Sequence, residues 1–313
     1  MKTKISLLVV ITAFLSSFPA AASVLTLNDA LRATYTACVG IDEELTDLKK
    51  MAGINTAITG VGAATGVGAT VVGIVKEKTD KKIDELIKSL KDTVKKRIEV
   101  VEGTGHDYEA FAQAMTTDLG DSENKNSELS QLQDKSKKLG NWRTGLLATG
   151  AATNVAGTII AAKNKVDADL DTQINSCKES IANLRTSIMQ ARINGEDVVE
   201  AQSIVSACGD FELVDISKIN KRGKGAMISS GVGAATGLAG TITSAAANSN
   251  TLRSQKTDDG LRTDKEKNLN TASNVLAGAS AAASATATVF NATQIKAIKQ
   301  VAEVASKCTG VLK

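Results

Sequence analysis

The sequence has 313 residues, a formal net charge of +3 at pH 7, one proline and an aromatic content of 3%. A nearly neutral chain with so few stacking side chains argues against nucleic-acid binding, which needs a basic surface and often aromatic platforms. Abundant Ala, Leu, Lys and acidic residues favour helices. We therefore predict an all-α protein, an elongated helical bundle built from coiled-coil hairpins.

The N-terminus is typical of a secretory signal. Lys2 and Lys4 precede an apolar run over residues 5–14, and the small residues 20–22 fit the cleavage rule. We predict that residues 1–22 are a signal peptide, and losing its two lysines would lower the formal charge from +3 to +1. The expected location is the periplasm or the cell envelope, with membrane association left open.

The mature chain is predicted to open with a helix that Thr26 or Asn28 caps and that continues toward Lys50. Residues 52–75 follow, rich in Gly and Ala and without a charged side chain. From Lys76 onward apolar residues recur on one stripe among Lys, Asp and Glu, a pattern that indicates an amphipathic helix of coiled-coil type.

The glycines at 103–105 predict a break after this helix. A short helix over residues 108–119 and a polar loop from Gly120 are expected next. Residues 122–192 read as helical again, with a possible break at Gly140.

The most regular periodicity in the chain lies between residues 170 and 191. Its apolar positions alternate spacings of four and three, which predicts a coiled-coil seam or a bundle core. The helix should end at Asn194-Gly195. The seam positions are Leu170, Ile174, Cys177, Ile181, Leu184, Ile188 and Ala191.

Two stretches of the first part return later in the chain. The heptapeptide Gly-Val-Gly-Ala-Ala-Thr-Gly occupies residues 60–66 and again 231–237, and the sequence around Cys38 is echoed around Cys208. We interpret this as a tandem duplication of a helical hairpin. The predicted halves are residues 23–193 and 194–313.

The second half is expected to turn at residues 256–262. Thr263 and Glu266 then match a capping box that opens the last long helix. Residues 103–120 and 256–262 are predicted to be exposed tips at the end of the bundle opposite the cysteines.

Two pairs of glycines, Gly62 with Gly66 and Gly233 with Gly237, are four residues apart and so lie on one stripe of a helix. A glycine costs about 1 kcal/mol relative to alanine inside a helix, so close contact between helices should offset the loss. The pattern resembles the glycine-zipper segments of bacterial envelope proteins in spacing and small residues. The predicted helix-packing positions are Gly62, Gly66, Gly150, Gly157, Gly233, Gly237 and Gly278.

Four charge-free windows raise the question of a membrane. They cover residues 52–75, 144–162, 225–252 and 268–295, and a helical span needs about 20 residues. Their hydropathy is weak, and lysines flank them on both sides, without the asymmetry that orients membrane helices. A membrane-inserted glycine-zipper protein that forms oligomers or a pore is therefore the alternative to a periplasmic bundle.

The chain has four cysteines, and an even number in an exported protein indicates disulfides. Three connectivities are possible. Two of them respect the duplication: Cys38–Cys177 with Cys208–Cys308, or Cys38–Cys308 with Cys177–Cys208. A metal site is the less favoured reading, because CxxC spacing and nearby histidines are missing.

No sequence motif predicts catalysis. The glycines at 60, 62 and 66 superficially match a dinucleotide-binding turn, but a helix rather than a strand is expected before them. His106 is the only histidine, so a Ser-His-Asp or Cys-His arrangement has no second candidate. We predict no catalytic, cofactor-binding or metal-binding residues. The expected function is that of a structural or interaction protein of the bacterial cell envelope, with self-association or an envelope protein as its possible partners.

Overall fold

The computed structural model describes residues 25–103 and 108–312, without the side chains of residues 97, 98 and 100–122. The described chain is helical and has no β-strand, only one antiparallel bridge between Lys256 and Arg262. The predicted all-α class is confirmed. The predicted signal peptide and His106 lie outside the described residues.

Long helices dominate these two ranges. The α-helices are α1 (Leu27–Cys38), α2 (Ile41–Gly103), α3 (Tyr108–Lys163), α4 (Ala168–Ile193), α5 (Val199–Cys208), α6 (Ser217–Ala247), α7 (Asn250–Ser254) and α8 (Asp264–Val311), with a 3-10 helix, η1 (Gly209–Leu213), after α5.

Side-chain caps begin several helices where the sequence predicts them. The Thr26 hydroxyl accepts a hydrogen bond from the backbone N–H of Asp29 at 3.2 Å, which starts α1. The Thr263 hydroxyl accepts one from the backbone N–H of Glu266 at 3.3 Å, as in a capping box. Such caps satisfy N–H groups that have no partner within the helix.

Three predicted helix boundaries are wrong. The helix toward Lys50 is interrupted at Gly40, where the backbone φ of +90° suits glycine. The polar loop from Gly120 and the break at Gly140 are absent, because α3 is continuous. The chain instead breaks at residues 164–167, just before the start of α4.

The described chain forms two compact units. Unit 1 contains the residues up to Asp47, Val166–Ile216 and those from Ile298, whereas unit 2 contains Leu48–Lys165 and Ser217–Ala297. Each unit therefore draws on both predicted halves, and α2 and α8 contribute to both units. The tandem duplication stays a prediction.

Unit 1 is built around α4. All seven seam positions of α4 are buried, as the four-three spacing predicts. The α1 region packs along this helix: the Thr34 hydroxyl donates to the Ser180 carbonyl at 3.2 Å, and the Ser187 hydroxyl donates to the Leu25 carbonyl at 2.9 Å.

Unit 2 is a four-helix bundle of α2, α3, α6 and α8. Gly66 of α2 packs against Ala281 of α8, and Gly237 of α6 packs against Ala151 of α3. These contacts let neighbouring backbones approach closely, which is the packing that small residues permit.

Candidate functional site

The candidate site is a zone of the unit 2 bundle without charged residues, which we call the band. The band consists of residues 51–75 of α2, 144–162 of α3, 225–247 of α6 and 272–293 of α8. Its segments have 19 to 25 residues. At a rise of 1.5 Å per residue they are about 28–38 Å long.

The exposed surface of the band is apolar. On α2 its exposed residues are Met51, Ile54, Ala57, Val61, Ala64, Val67, Val71, Ile74 and Val75. On α6 they are Ile228, Val232, Ala235, Leu238, Ile242, Ala245 and Ala246. Exposed positions on α3 and α8 are likewise Ala, Val, Ile and one Gly, apart from Thr149 and Thr286. Both threonine hydroxyls donate to a backbone carbonyl four residues earlier, so they present no unsatisfied donor.

The interior of the band is polar. Its buried polar residues are Asn55, Thr59, Asn154, Ser230, Ser244, Ser273, Ser280, Ser284 and Asn291, interspersed with Gly and Ala. This distribution reverses the usual one, in which Asn, Ser and Thr are mostly exposed and Val and Ile are buried.

Hydrogen bonds between these side chains join different helices. Asn55 of α2 donates to Asn291 of α8 at 3.0 Å, and Asn291 donates to the Thr59 hydroxyl at 3.3 Å. The Ser284 hydroxyl of α8 donates to Asn154 of α3 at 2.9 Å. The polar interior therefore connects α2, α3 and α8.

Six of the seven predicted packing glycines have a neighbour where a Cβ atom would lie. The nearest heavy atom is 2.8–3.1 Å from that position at Gly62, Gly66, Gly150, Gly157, Gly233 and Gly237. Gly278 differs, because nothing lies within 4 Å of its Cβ position. Its predicted contact is absent, since that side of α8 faces open space.

A buried ionic cluster lies next to one edge of the band. The Arg143 guanidinium is fully buried and donates to Ser244, Asn274 and Asn270 at 2.8–3.0 Å. The Lys76 ammonium lies 2.6 Å from the Asp80 carboxylate, and both are buried. Sequence reasoning missed this cluster, because charged residues that alternate along a helix usually indicate a solvated face.

Arg262 joins the cluster from the turn after α7. It lies 2.9 Å from Asp84, 3.2 Å from Asp80 and 3.5 Å from Glu77. Its exposure is only 3%. The prediction of a fully exposed tip over residues 256–262 is therefore wrong at Arg262, because three carboxylates of α2 hold this side chain against the bundle.

Burial acts on the pKa values of the charged residues of the cluster, all of which lie outside the band. Burial lowers the pKa of Lys76 against the opposing effect of Asp80, and it lowers the pKa of Arg143 to about 10. For Arg262 burial acts in the same direction, but the hydrogen bond to Asp84 and the charges of Asp80 and Glu77 outweigh it, and the pKa is raised.

Glu266 is the member of the cluster whose buried charge has the fewest close partners. Burial raises the pKa of its carboxyl group despite the charge of Lys256, whose ammonium is 3.7 Å away. Its Oε2 atom is buried without a hydrogen-bond partner. The carboxyl group borders a cavity of about 180 Å³ that Asp80, Arg253 and Arg262 also line.

The cysteines all lie in unit 1 and are paired. The sulfur atoms of Cys38 and Cys177 are 1.99 Å apart, and those of Cys208 and Cys308 are 1.92 Å apart. Of the three connectivities that the sequence allows, this is one of the two that respect the predicted duplication. The Sγ atoms of Cys38, Cys177 and Cys308 all lie within 4.8 Å of one another, so the two pairs are adjacent.

Among the described residues, three helical stretches are long and apolar enough to cross a membrane. They are Leu27–Lys96, Glu123–Ile193 and Asp264–Val311, which contain the band segments of α2, α3 and α8. The segment in α6 is not among them.

Comparison with known proteins gives no relative: no family model, no curated protein and no solved structure matches the chain. The proposals below therefore rest on the residues and their geometry.

Proposed function

We propose that unit 2 is embedded in a lipid bilayer, with the band in the hydrocarbon region, and that the protein is a non-enzymatic structural component of the bacterial cell envelope. The observation that carries this proposal is the reversed distribution of side chains in the band. In water this bundle would expose a continuous apolar surface, which in folded proteins marks a membrane or protein contact. In a bilayer the same apolar side chains contact lipid hydrocarbon instead of water.

The dimensions and the backbone of the band support this proposal. Its segments match or exceed the roughly 30 Å thickness of the hydrocarbon core, which tilted helices accommodate. A helix satisfies its own backbone hydrogen bonds, as a chain in lipid must. Thr149 and Thr286, the exposed hydroxyls of the band, also bond to backbone carbonyls.

The interior of the band fits the forces that hold helices together in lipid. Lipid tails are as apolar as Leu, so membrane helices associate through close packing of small residues and through hydrogen bonds between helices. The six contacting glycines and the Asn55–Asn291 pair provide both. We take these glycines as a glycine-zipper-like packing within one chain.

A filled interior favours a packed bundle over an open pore. Asn55, Thr59, Asn154 and Asn291 are fully buried. The weakly apolar α6 enters the bilayer as part of this assembly, since its outward residues are aliphatic and its glycines face the other helices.

For unit 1 we propose a disulfide-stabilised domain in the periplasm. Two buried cystines support a location in an oxidising compartment such as the periplasm. The proposed N-terminal signal peptide supplies the export route. A soluble periplasmic bundle is the alternative, and the weak hydropathy of α6 is the feature in its favour.

Membrane extraction tests the proposal directly. The full-length chain is expressed in a bacterium, and the membranes are collected and washed with alkaline sodium carbonate. We expect the protein to stay in the pellet and to be released by detergent. Release by carbonate, or recovery in the soluble periplasmic fraction, would contradict membrane insertion.

A further inference from the structure

The four cysteine sulfurs form one cluster in unit 1, although they come from four helices. Cys38 ends α1, Cys177 lies in the seam of α4, Cys208 ends α5 and Cys308 lies near the end of α8. Each cysteine is at most 1% exposed. Two disulfides could link these helices at positions far apart, but here the two bonds are adjacent.

We propose that the reduced chain binds one divalent, thiophilic metal ion, Zn²⁺ in its most stable form, through Cys38, Cys177, Cys208 and Cys308. Structural zinc is commonly held by four thiolates in a tetrahedron with Zn–S distances of about 2.3 Å, which places the sulfurs about 3.8 Å apart. Three of the sulfurs already lie within 4.8 Å of one another, and the fourth is bonded to one of them.

The proposed step is balanced by a named class of reductant. Two molecules of a phosphine and two of water convert the two S–S bonds into four thiols and leave two molecules of phosphine oxide. Two molecules of a dithiol do the same by supplying their own hydrogens, and they leave two cyclic disulfides. Binding of Zn²⁺ then releases up to four protons, because only thiolates are ligands. The oxidised chain cannot bind the ion in this way, since each sulfur is already bonded to another.

The metal and the disulfides would thus be alternative links between the same helices. A divalent ion neutralises two of the four thiolate charges, whereas Cu⁺ would neutralise only one and leave more charge in a buried site. All-sulfur tetrahedral coordination is also the arrangement that zinc commonly adopts. The fold of unit 1 would therefore be maintained under reducing conditions whenever zinc is present.

Cobalt is a visible probe of this site. The detergent-solubilised full-length protein is reduced with a phosphine, which is removed under nitrogen before Co²⁺ is added. We expect one Co²⁺ per chain, with the thiolate charge-transfer band and strong visible bands of a tetrahedral sulfur site. Zn²⁺ should bleach the spectrum at one equivalent, and the oxidised protein should give no such spectrum.

Variants assign the ligands and control for folding. Each of Cys38→Ser, Cys177→Ser, Cys208→Ser and Cys308→Ser should weaken Co²⁺ binding at least about tenfold, as loss of even an outer-sphere partner can do. Ser176→Ala, at an exposed position next to Cys177 on the same helix, should bind like the unmodified chain. Circular dichroism follows the fold in parallel, and Zn²⁺ should raise the melting temperature of the reduced chain.

Several results would overturn the inference. They are the absence of a tetrahedral cobalt spectrum in the reduced chain, equal binding by the oxidised chain, or unchanged affinity in the cysteine variants. A reduced chain that unfolds and that Zn²⁺ does not refold would also contradict it. None of these results bears on membrane insertion, so the two proposals fail separately.

Discussion

Gly66 lies directly against the backbone of Ala281, the residue that faces it from α8. A Cβ atom at residue 66 would lie 2.9 Å from the Cα and N atoms of Ala281. Such a distance leaves no room for a side chain unless one of the helices moves. Gly60, six residues earlier on the same helix, has nothing within 4 Å of its Cβ position.

Gly66 and Gly60 predict opposite effects of substitution by alanine on the stability of the protein. Gly66→Ala should lower the free energy of unfolding by about 1–3 kcal/mol, because overpacking outweighs the gain in helix propensity. Gly60→Ala should raise it by up to about 1 kcal/mol, because propensity acts there alone. Denaturation in detergent followed by circular dichroism measures both, and stabilisation by both substitutions would contradict close packing at Gly66.

The outward face of the band predicts a position-dependent cost of charge. Val67 lies in the band and is 55% exposed, whereas Val94 lies on the same helix outside the band and is 52% exposed. Val67→Lys should oppose insertion by about 2.5–3.5 kcal/mol, the cost of lysine near the centre of a membrane helix. Membrane-bound protein after carbonate extraction is the readout.

Val94→Lys is the matched control for this substitution. It should leave membrane association unchanged, because its side chain lies in water in either case. Equal amounts of membrane-bound protein in the two variants would indicate that the exposed valines of α2 do not face lipid.

Chain order predicts the topology of the protein. Four spans place residues 76–143 and 248–271 on one side of the membrane and residues 163–224 on the other. A cysteine introduced by Leu213→Cys should therefore react with a membrane-impermeant maleimide in spheroplasts, whereas Asp258→Cys should react only after permeabilisation. Both positions are exposed. Labelling of residue 258 in intact spheroplasts would exclude a four-span arrangement with cytoplasmic connections.

Glu266 predicts how stability depends on pH. Because its pKa is raised by burial in the folded protein, ionising it costs more there than in the unfolded chain. The carboxyl group of Glu266 contributes fully to stability when the pH is below its pKa in the unfolded chain. This contribution is lost as the pH rises through its pKa in the folded protein. Glu266→Gln should be more stable than the unmodified chain above this window and should show a flatter profile.

The measurement for Glu266 is a series of denaturant titrations between pH 4 and 8. Asp264→Asn is a suitable control, since Asp264 begins the same helix and its side chain is exposed. A parallel pH profile in Glu266→Gln and the unmodified chain would show that the buried carboxyl group does not set the slope.

We expect reduction of the two disulfides to lower the stability of unit 1 strongly. The two bonds close loops over 139 and 100 residues. In the chain-entropy model each is worth about 4–5 kcal/mol. The double variant Cys208→Ser with Cys308→Ser should lose about this much stability in metal-free buffer.

Peptide mapping without reduction checks the pairing itself. Peptides that contain Cys38 and Cys177 should be recovered joined, and no free thiol should react in the denatured, unreduced protein. A Cys38–Cys308 peptide would favour the other pairing that respects the predicted duplication.

Periodicity and capping predicted the helical parts of this fold well. The seam from Leu170 to Ala191 is buried because a four-three pattern has one geometric solution, a helix face against other helices. Thr263 caps α8 as the sequence predicts, because a capping box depends only on residues three positions apart. Signals of this kind involve only residues that are close together in the sequence, so they can be recognised without knowledge of the tertiary structure.

Local patterns misled the prediction at Gly140 and Arg262, where residues distant in sequence decide the outcome. Gly140 reads as a break, yet it is buried inside α3 with the Asn248 side chain packed against it. Arg262 reads as part of an exposed turn, yet Asp84, from a helix 178 residues earlier in sequence, receives its hydrogen bond. Both outcomes depend on tertiary partners that a local pattern does not contain.

The Asn55–Asn291 hydrogen bond also bears on how the protein is made. Its two residues are 236 positions apart, so the first helix of the bundle meets this partner only after the last helix has been synthesised. Until then Asn55 lacks its native partner, and contacts of such long range slow folding. The bundle can therefore be completed only after α8 has been synthesised. Completion of the bundle is in this sense a post-translational event.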